Sequence, residues 1–508
     1  MSPPAEPLNP IPAEPRDHRN LDARVAGGLA WTAGVKWATQ LFTWGSLLIV
    51  ARLLSTSDYG VGEMAGTLYL LSNVMAEFGI GTAVLHMPEL RREALAQLHL
   101  FSCLVCTLFF FLACLAAPLV AGFYHTDHVW FFVASNLGLF LTGFEAVPMG
   151  LLQRDMDYRR LSLAEAAMVL VQSVVTVVTA WMGWGYWALF AGASSGKTTA
   201  TILVCSWKHV GFAWPRWKDI RAAVEMGRHA SIGRVAWSLY TQADGIVVGR
   251  ILGAPVLGVY RMAMNLASAP AEKVSTLLMR TASPLFANVK DDPALVRRYY
   301  LILVEIMTLV VMPLMLGLAM VSPLAVPVIL GQRWMGAVAP LRWLAVFMIL
   351  RTMGTLTEQV LISQRLTRFT MRMSIFNFVV MPLAFVAAAR WQGTAGVSGV
   401  WLALSPLTIV PLIVVLLRSI HLRQGQFTAA ALPAAIGSLV MCLTLLAAGG
   451  WLTQSSWPAT LRLGAQITAG GVVYAGVLLT FFRPRVMRYV RFLINLRKGQ
   501  DKAVTMMS

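Results

Sequence analysis

Charged side chains are scarce in this sequence: they make up 13% of its 508 residues, whereas 57% are hydrophobic. In ordinary soluble domains roughly a quarter of the residues are charged. Apolar stretches recur from Trp31 to Phe482, each about 20 residues long, which is enough for a helix to cross a hydrocarbon core of about 30 Å. The composition therefore excludes a single soluble core with one membrane anchor and predicts a polytopic membrane protein.

Cysteine is also sparse, and an odd count argues against a disulfide framework. The five cysteines are scattered through apolar runs: Cys103, Cys106, Cys114, Cys205 and Cys442. Cys103 and Cys106 have the spacing of a metal-ligand pair, but no second cysteine pair accompanies them. We interpret them as small core residues and predict neither a metal site nor a cofactor.

Recognisable enzyme motifs are missing as well. The string GASSGKT at 192–198 has three residues between its glycines, whereas a P-loop needs four to wrap a phosphate. Because the string lies inside a predicted membrane helix, we interpret its small residues as sites of close helix packing. No Ser/His/Asp set or carboxylate pair stands at a recognisable catalytic spacing, so we predict that the protein is not an enzyme.

The sequence does contain a regular series of apolar segments, which predicts an all-α polytopic membrane protein with about 14 transmembrane helices. The predicted helices are 28–52, 59–85, 98–122, 129–150, 160–183, 185–207, 226–250, 256–287, 299–321, 338–362, 368–389, 394–418, 428–450 and 461–482.

The basic residues mark the two sides of the membrane. A net charge of +18 would suit a nucleic-acid partner. However, with a cytoplasmic N-terminus the cytoplasmic segments hold 28 Lys and Arg residues and the opposite side holds 5. This asymmetry follows the positive-inside rule. It predicts that both termini are cytoplasmic, and it removes the reason to expect nucleic acid.

An internal repeat relates the first helix to the seventh at a constant offset of 198 residues. The offset places Arg52 on Arg250 and Gly60 on Gly258. An even number of helices per unit makes the repeats parallel, with an axis along the membrane normal. We therefore predict a cytoplasmic polar tail (1–25), a six-helix N-lobe (26–207), an interfacial amphipathic linker (208–225), a six-helix C-lobe (226–420), an additional helix pair (421–483) and a basic cytoplasmic tail (484–508).

Ionisable side chains at membrane depth are the functional candidates, because burying them in lipid is costly and they usually face a bundle interior or water. Lys36 and Arg234 are repeat mates, each on a polar face of its helix, and Glu63 is the repeat mate of Arg261. The other candidates are Asp244, Glu272, Lys273 and Arg280, with Arg351 and Glu358 in second rank. Two interpretations stay open: these charges line a cleft between the lobes, or they pair to hold helices together.

Four stretches carry a resemblance to a known family: ARLLSTSDYGVGEMAG (51–66), VPMGLLQRDMDYRRLSLAE (147–165), GWGYWALFAG (183–192) and ADGIVVGRILGAPVLGVYRMAMNLASAP (243–270). They resemble bacterial Wzx-like oligosaccharide flippases of the polysaccharide transporter family. The sequence departs at Gly245, where such proteins often carry Asn, and at Arg261, where they often carry a small or amide residue.

The resemblance implies the fold of the multidrug/oligosaccharidyl-lipid/polysaccharide exporters. It also implies movement of an undecaprenyl-diphosphate-linked oligosaccharide from the cytoplasmic to the periplasmic leaflet of the bacterial inner membrane. Implied partners are the lipid bilayer and a polysaccharide polymerase with its export machinery. A diphosphate needs cations inside a wet cavity. We expect this role for Lys36, Arg234, Lys273 and Arg280.

Coupling to an ion gradient is expected from a carboxylate: Asp244, Glu63 or Glu272. For Asp244 the alternative is permanent pairing with Arg250 or Arg261. Other functions stay open for the whole chain. They are a cation-coupled drug exporter of the same fold, a membrane-bound glycosyltransferase or polymerase, and a transport-inactive scaffold of a polysaccharide assembly complex. The basic stripes argue against the first and the short outer loops against the second.

Overall fold

The computed structural model describes residues 34, 39–77, 79–87, 91–289, 291–453 and 456–485, and this part of the chain is helical without β-strands. We number the helices in chain order. They are α1 (39–53), α2 (Thr56–Ala76), α3 (Ile80–His86), α4 (Arg92–Phe123), α5 (Val129–Ser135), α6 (Gly138–Arg154), α7 (Tyr158–Trp181), α8 (Trp187–Trp207), α9 (Trp217–Leu252), α10 (Ala254–Val289), α11 (Pro293–Ile329), α12 (Val338–Ser363), α13 (Thr367–Ser419), α14 (Gln424–Thr453) and α15 (Ala459–Phe481).

Every predicted membrane segment coincides with helix in the described residues, with differences at the breaks. The second segment is the bent pair α2 and α3, and the fourth is α5 followed by α6. The long α13 contains both the eleventh and the twelfth segments, with a break between them at Gly393, where φ is 59° and ψ is −139°. That left-handed φ favours glycine and kinks the chain between the two helices.

Eight helices of the described residues are long and apolar enough to cross a membrane, or nine when the bent pair α2 and α3 counts as one span. The eight windows hold at most two charged residues each. The all-α polytopic architecture is therefore confirmed.

Local sequence signals explain where several helices begin. Ser55 and Asp58 form a reciprocal capping box at the start of α2. Asp292 caps α11 by accepting from the backbone N–H groups of Ala294 and Leu295, and Pro293 follows it at the first helical position. In contrast, α9 begins at Trp217 rather than at the predicted residue 226, because the second half of the predicted linker continues the helix.

The predicted linker packs on the first lobe. The Arg216 backbone N–H donates to Gln97 Oε1, and Gln97 in turn donates to Asp219, at 2.9 and 3.1 Å. Ile220 and Val224 are buried in a cluster with residues of α3, α4 and α6. The linker thus ties the start of α9 to the opposite repeat.

The two repeats meet where α2 crosses α10, and the contact is reciprocal. A Cβ at Gly60 would lie 1.7 Å from the carbonyl oxygen of Ala254, and a Cβ at Gly258 would lie 2.0 Å from that of Thr56. Because Thr56 and Ala254 are themselves 198 residues apart, the two contacts exchange under the repeat. A pseudo-twofold axis between the repeats produces this pattern. We call the contact of α2 with α9 and α10 the seam.

At the end of the molecule where α2 and α10 begin, Trp334 holds the loop before α12 against the first repeat. Its ring is fully buried and its Nε1 donates to the carbonyl of Ala51 at 2.8 Å. Arg333 donates to the carbonyl of Leu54, and Arg52 donates to those of Val328 and Ile329. The C-terminal pair α14 and α15 packs outside this core on α11, where the Tyr474 hydroxyl donates to the Leu309 carbonyl at 2.7 Å.

Candidate functional site at the seam between the repeats

Arg261 of α10 gathers charges from both repeats. Its guanidinium lies 3.7 Å from a carboxylate oxygen of Glu63 on α2 and 3.5 Å from one of Asp244 on α9. It also donates to the side-chain oxygen of Gln242. The side chain of Arg261 is 11% exposed, that of Asp244 is fully buried and that of Glu63 is 36% exposed. The structure therefore brings three predicted residues together, with Glu63 bridging the lobes.

Asp244 has a complete set of partners. It accepts hydrogen bonds from the Tyr260 hydroxyl at 2.7 Å, from Trp401 Nε1 at 3.2 Å and from the Gly245 backbone N–H at 2.6 Å. Its cation partner is Arg261, whereas Arg250 lies over the Phe123 ring. A buried carboxylate needs hydrogen-bond and charge partners, and here one cation and three donors supply them.

Gly245 provides the space that Arg261 occupies. A Cβ at this position would lie 2.1 Å from a terminal nitrogen of the Arg261 guanidinium. The two departures from the resembled family therefore meet in space: the glycine leaves room that the Arg261 guanidinium fills, and a side chain at 245 would have to displace it.

A second ion pair crosses the seam further along α2. Arg234 Nη1 of α9 lies 2.8 Å from Glu77 Oε2, and both side chains are about half-buried, at 40% and 38% exposed. Glu77 follows Glu63 by fourteen residues, about 21 Å of helix at 1.5 Å per residue. Nε and Nη2 of Arg234 are buried and have no hydrogen-bond partner in the described residues. This guanidinium therefore keeps donors available for an anion.

The remaining candidates are divided between a third pair and single groups. Arg351 of α12 lies 3.7 Å from Glu272 of α10; the Arg351 side chain is half-buried and that of Glu272 is exposed. Lys273 is exposed and Glu358 half-buried. Neither Lys273 nor Glu358 makes a side-chain ion pair or hydrogen bond within the described part of the chain. Lys36 lies outside the described residues, and so does the side chain of Arg280.

Sequence reasoning missed two acidic partners and one cation. Glu77 was not a candidate, although it is the partner of Arg234. Lys197 of α8 pairs with Glu145 of α6, and Thr201 donates to the same carboxylate at 3.0 Å. Lys197 belongs to the string at 192–198. A cation at membrane depth is itself a signal for a functional candidate, and this one was overlooked in the sequence.

The glycines of that string do pack helices closely. A Cβ at Gly192 would lie 1.7 Å from Thr176 Oγ1, and one at Gly196 would lie 2.7 Å from the carbonyl oxygen of Met168. The predicted role of these small residues in the contact between α7 and α8 is confirmed.

Known proteins are similar to this chain in sequence, and solved structures are similar to it in fold. The sequence model of the family "Polysaccharide biosynthesis protein" matches residues 49–339. The teichuronic acid biosynthesis protein TuaB of Bacillus subtilis is 21% identical over 91% of this chain and 96% of its own length. The lipopolysaccharide biosynthesis protein WzxC of Escherichia coli is 24% identical over 72% of this chain and 76% of its own. Among solved structures, the lipid II flippase MurJ in an inward closed conformation has a TM-score of 0.71 at 12% identity, covering 90% of this chain and 99% of that one.

Proposed function

The chain belongs to the polysaccharide biosynthesis protein family, and from that premise we propose that it flips an undecaprenyl-diphosphate-linked oligosaccharide from the cytoplasmic to the periplasmic leaflet. The membrane is the bacterial inner membrane, with both termini of the chain in the cytoplasm. The likeness in fold to a lipid II flippase supports this proposal. The lipopolysaccharide and teichuronic acid biosynthesis of the relatives supports a lipid-linked saccharide as the cargo. A polysaccharide polymerase and export machinery would take the product.

The observation that carries the proposal is Arg234, a half-buried cation on the seam with two buried donors that have no partner in the described residues. A diphosphate cannot enter a low-dielectric region without charge compensation. Guanidinium groups bind phosphate oxygens through two parallel hydrogen bonds. Arg234 therefore has the charge and the donors to hold the diphosphate, with Lys273, Lys36 and Arg280 as further proposed contacts.

Binding at Arg234 would also act on the lobes. Glu77 belongs to the first repeat and Arg234 to the second, so their ion pair holds the two together. An incoming diphosphate competes with Glu77 for the guanidinium and weakens this link. The lobes then rock about the seam and expose the site alternately to each side. Ion coupling would use Asp244, Glu63 or Glu272, of which Asp244 is fully buried, Glu63 is half-buried and Glu272 is exposed.

Transport of purified undecaprenyl-diphosphate-linked oligosaccharide by proteoliposomes tests the proposal. Arg234→Ala removes charge-assisted hydrogen bonds that contribute about 1.5–3 kcal/mol each, so we expect the flipping rate to fall on the order of tenfold or more. Arg234→Lys should recover part of the rate, because it keeps the charge and loses the paired donors. Arg250→Ala is the matched control, since Arg250 is on the same helix but stacks on Phe123.

Two results would contradict the proposal. If proteoliposomes with the wild-type protein flip the lipid no faster than empty liposomes, the protein does not have the proposed activity. If Arg234→Ala, present in the proteoliposomes at the normal level, flips the lipid as fast as the wild-type protein does, Arg234 does not contact the substrate.

A further inference from the structure

A cavity of about 570 Å³ with a mixed polar and apolar lining lies within the first repeat, a volume typical of ligand sites in proteins. Helices α1, α2, α7 and α8 supply most of its lining. One of its lining residues is Glu63, which reaches across the seam to Arg261. The cavity therefore borders the seam at Glu63, and the proposed diphosphate contact Arg234 lies further along the same seam.

The charges on the described wall of this cavity are already compensated. Among the described residues, two charged side chains line it, Glu63 and Lys197. Glu63 faces Arg261 and Lys197 pairs with Glu145. A second anion or a free cation would therefore find no unpaired opposite charge on the described wall. An uncharged ligand enters without this electrostatic cost.

The rest of the lining suits a polyhydroxylated ligand. Gln172, Ser194 and Thr176 contribute amide and hydroxyl groups, and Tyr59 and Tyr69 contribute aromatic rings. The Gln172 side chain makes no hydrogen bond to the described residues, so both its donor and its acceptor are available. Sugar rings present hydroxyl groups at their edges and C–H groups on their faces, and this combination of amide and aromatic side chains complements both.

We propose that this cavity is the subsite for a neutral sugar residue of the lipid-linked oligosaccharide whose diphosphate is held on Arg234, further along α2. The inference rests on the proposed function and adds a place where the saccharide, rather than the lipid, is recognised. It assigns Gln172 as a specificity-determining residue.

Two glycines allow the cavity to be filled without disturbing the fold. Gly66 of α2 lines the cavity, and nothing lies within 4 Å of the position that its Cβ would take. Gly45 of α1 has the same open surroundings but lines a separate apolar groove of about 390 Å³, together with the exposed Leu41 and Phe42. Gly66→Leu therefore blocks the proposed subsite, and Gly45→Leu is its matched control.

Binding of two lipids to the purified full-length protein tests the inference. The probes are the lipid-linked oligosaccharide extracted from cells that lack this transporter and undecaprenyl diphosphate without sugar. We expect the wild-type protein and Gly45→Leu to bind the sugar-bearing lipid about tenfold tighter, the effect of two ordinary hydrogen bonds. Gly66→Leu should bind both lipids alike and the bare lipid normally. Gln172→Ala should lose part of the preference.

The outcomes separate the two proposals. Wild-type protein that binds the bare lipid but shows no preference for sugar overturns the subsite and leaves the flippase function intact. A full preference in Gly66→Leu overturns the subsite as well. Failure of the wild-type protein to bind either lipid overturns the proposed function and this inference with it.

Discussion

At the scale of single residues, the seam is built on a complementary pair. Gly245 lacks a side chain, and the Arg261 guanidinium occupies the space beside its Cα. From there Arg261 reaches Asp244 in its own repeat and Glu63 in the other. A single buried cation between two carboxylates links the lobes and compensates Asp244 at the same time.

This pairing predicts strong coupling between positions 245 and 261. Gly245→Asn should displace the guanidinium from Asp244 and lower stability by about 1–3 kcal/mol. Arg261→Ala should be costlier, about 3–5 kcal/mol, because it leaves a buried carboxylate without its cation. In the double variant the amide introduced at position 245 fits the vacated space and can donate to Asp244, so the combined loss should be smaller than the sum of the two. Thermal unfolding of all four proteins measures this cycle, and additive losses would contradict it.

At the scale of elements, the crossing of α2 and α10 depends on backbone contact. Gly60 and Gly258 each lie against a carbonyl group of the opposite helix. Carbonyl oxygens of a helix backbone cannot rotate away as a flexible side chain can, so no side chain fits at either glycine without moving a helix. The same glycine-to-carbonyl contact is thus present at equivalent positions of both repeats.

A comparison of two alanine variants on α2 tests this close approach. Gly60→Ala should lower stability by about 1–3 kcal/mol, because the new methyl group overlaps the Ala254 carbonyl. Gly66→Ala meets nothing within 4 Å. It should be neutral or slightly stabilising, because alanine favours helix by about 0.5–1 kcal/mol over glycine. Equal unfolding midpoints for the two variants would show that the helices separate at this crossing.

At the scale of the whole molecule, the unequal distribution of Lys and Arg across the membrane and the two ion pairs of the seam both bear on the proposed alternating access. The pair of Glu63 with Arg261 lies near the end of α2 where Trp334 also ties the lobes. The pair of Glu77 with Arg234 lies near its other end. In the predicted topology the first end is periplasmic and the second is cytoplasmic. In the proposed mechanism, opening to one side would break one pair while the other persists.

This mechanism requires the predicted orientation, which reporter fusions can test. A periplasmic reporter joined within 183–186 should be active, and the same reporter joined after residue 295 or residue 500 should be inactive. The excess of Lys and Arg on the cytoplasmic side gives the physical reason. Periplasmic activity at residue 295 or 500 would break the proposed order of spans.

The sequence by itself predicted most of the helices, a repeat at a fixed offset and part of the set of membrane-depth charges, without Glu77 and Lys197. Apolar segments and caps are local signals, and a repeat is visible as identity at a fixed offset. Only the tertiary structure decided the partners: Glu77 with Arg234 and Trp401 with Asp244, each 157 residues apart, and Lys197 with Glu145. A helical pattern shows which residues share a face. Which helix that face meets, and at what depth, depends on packing and tilt summed over all neighbouring helices.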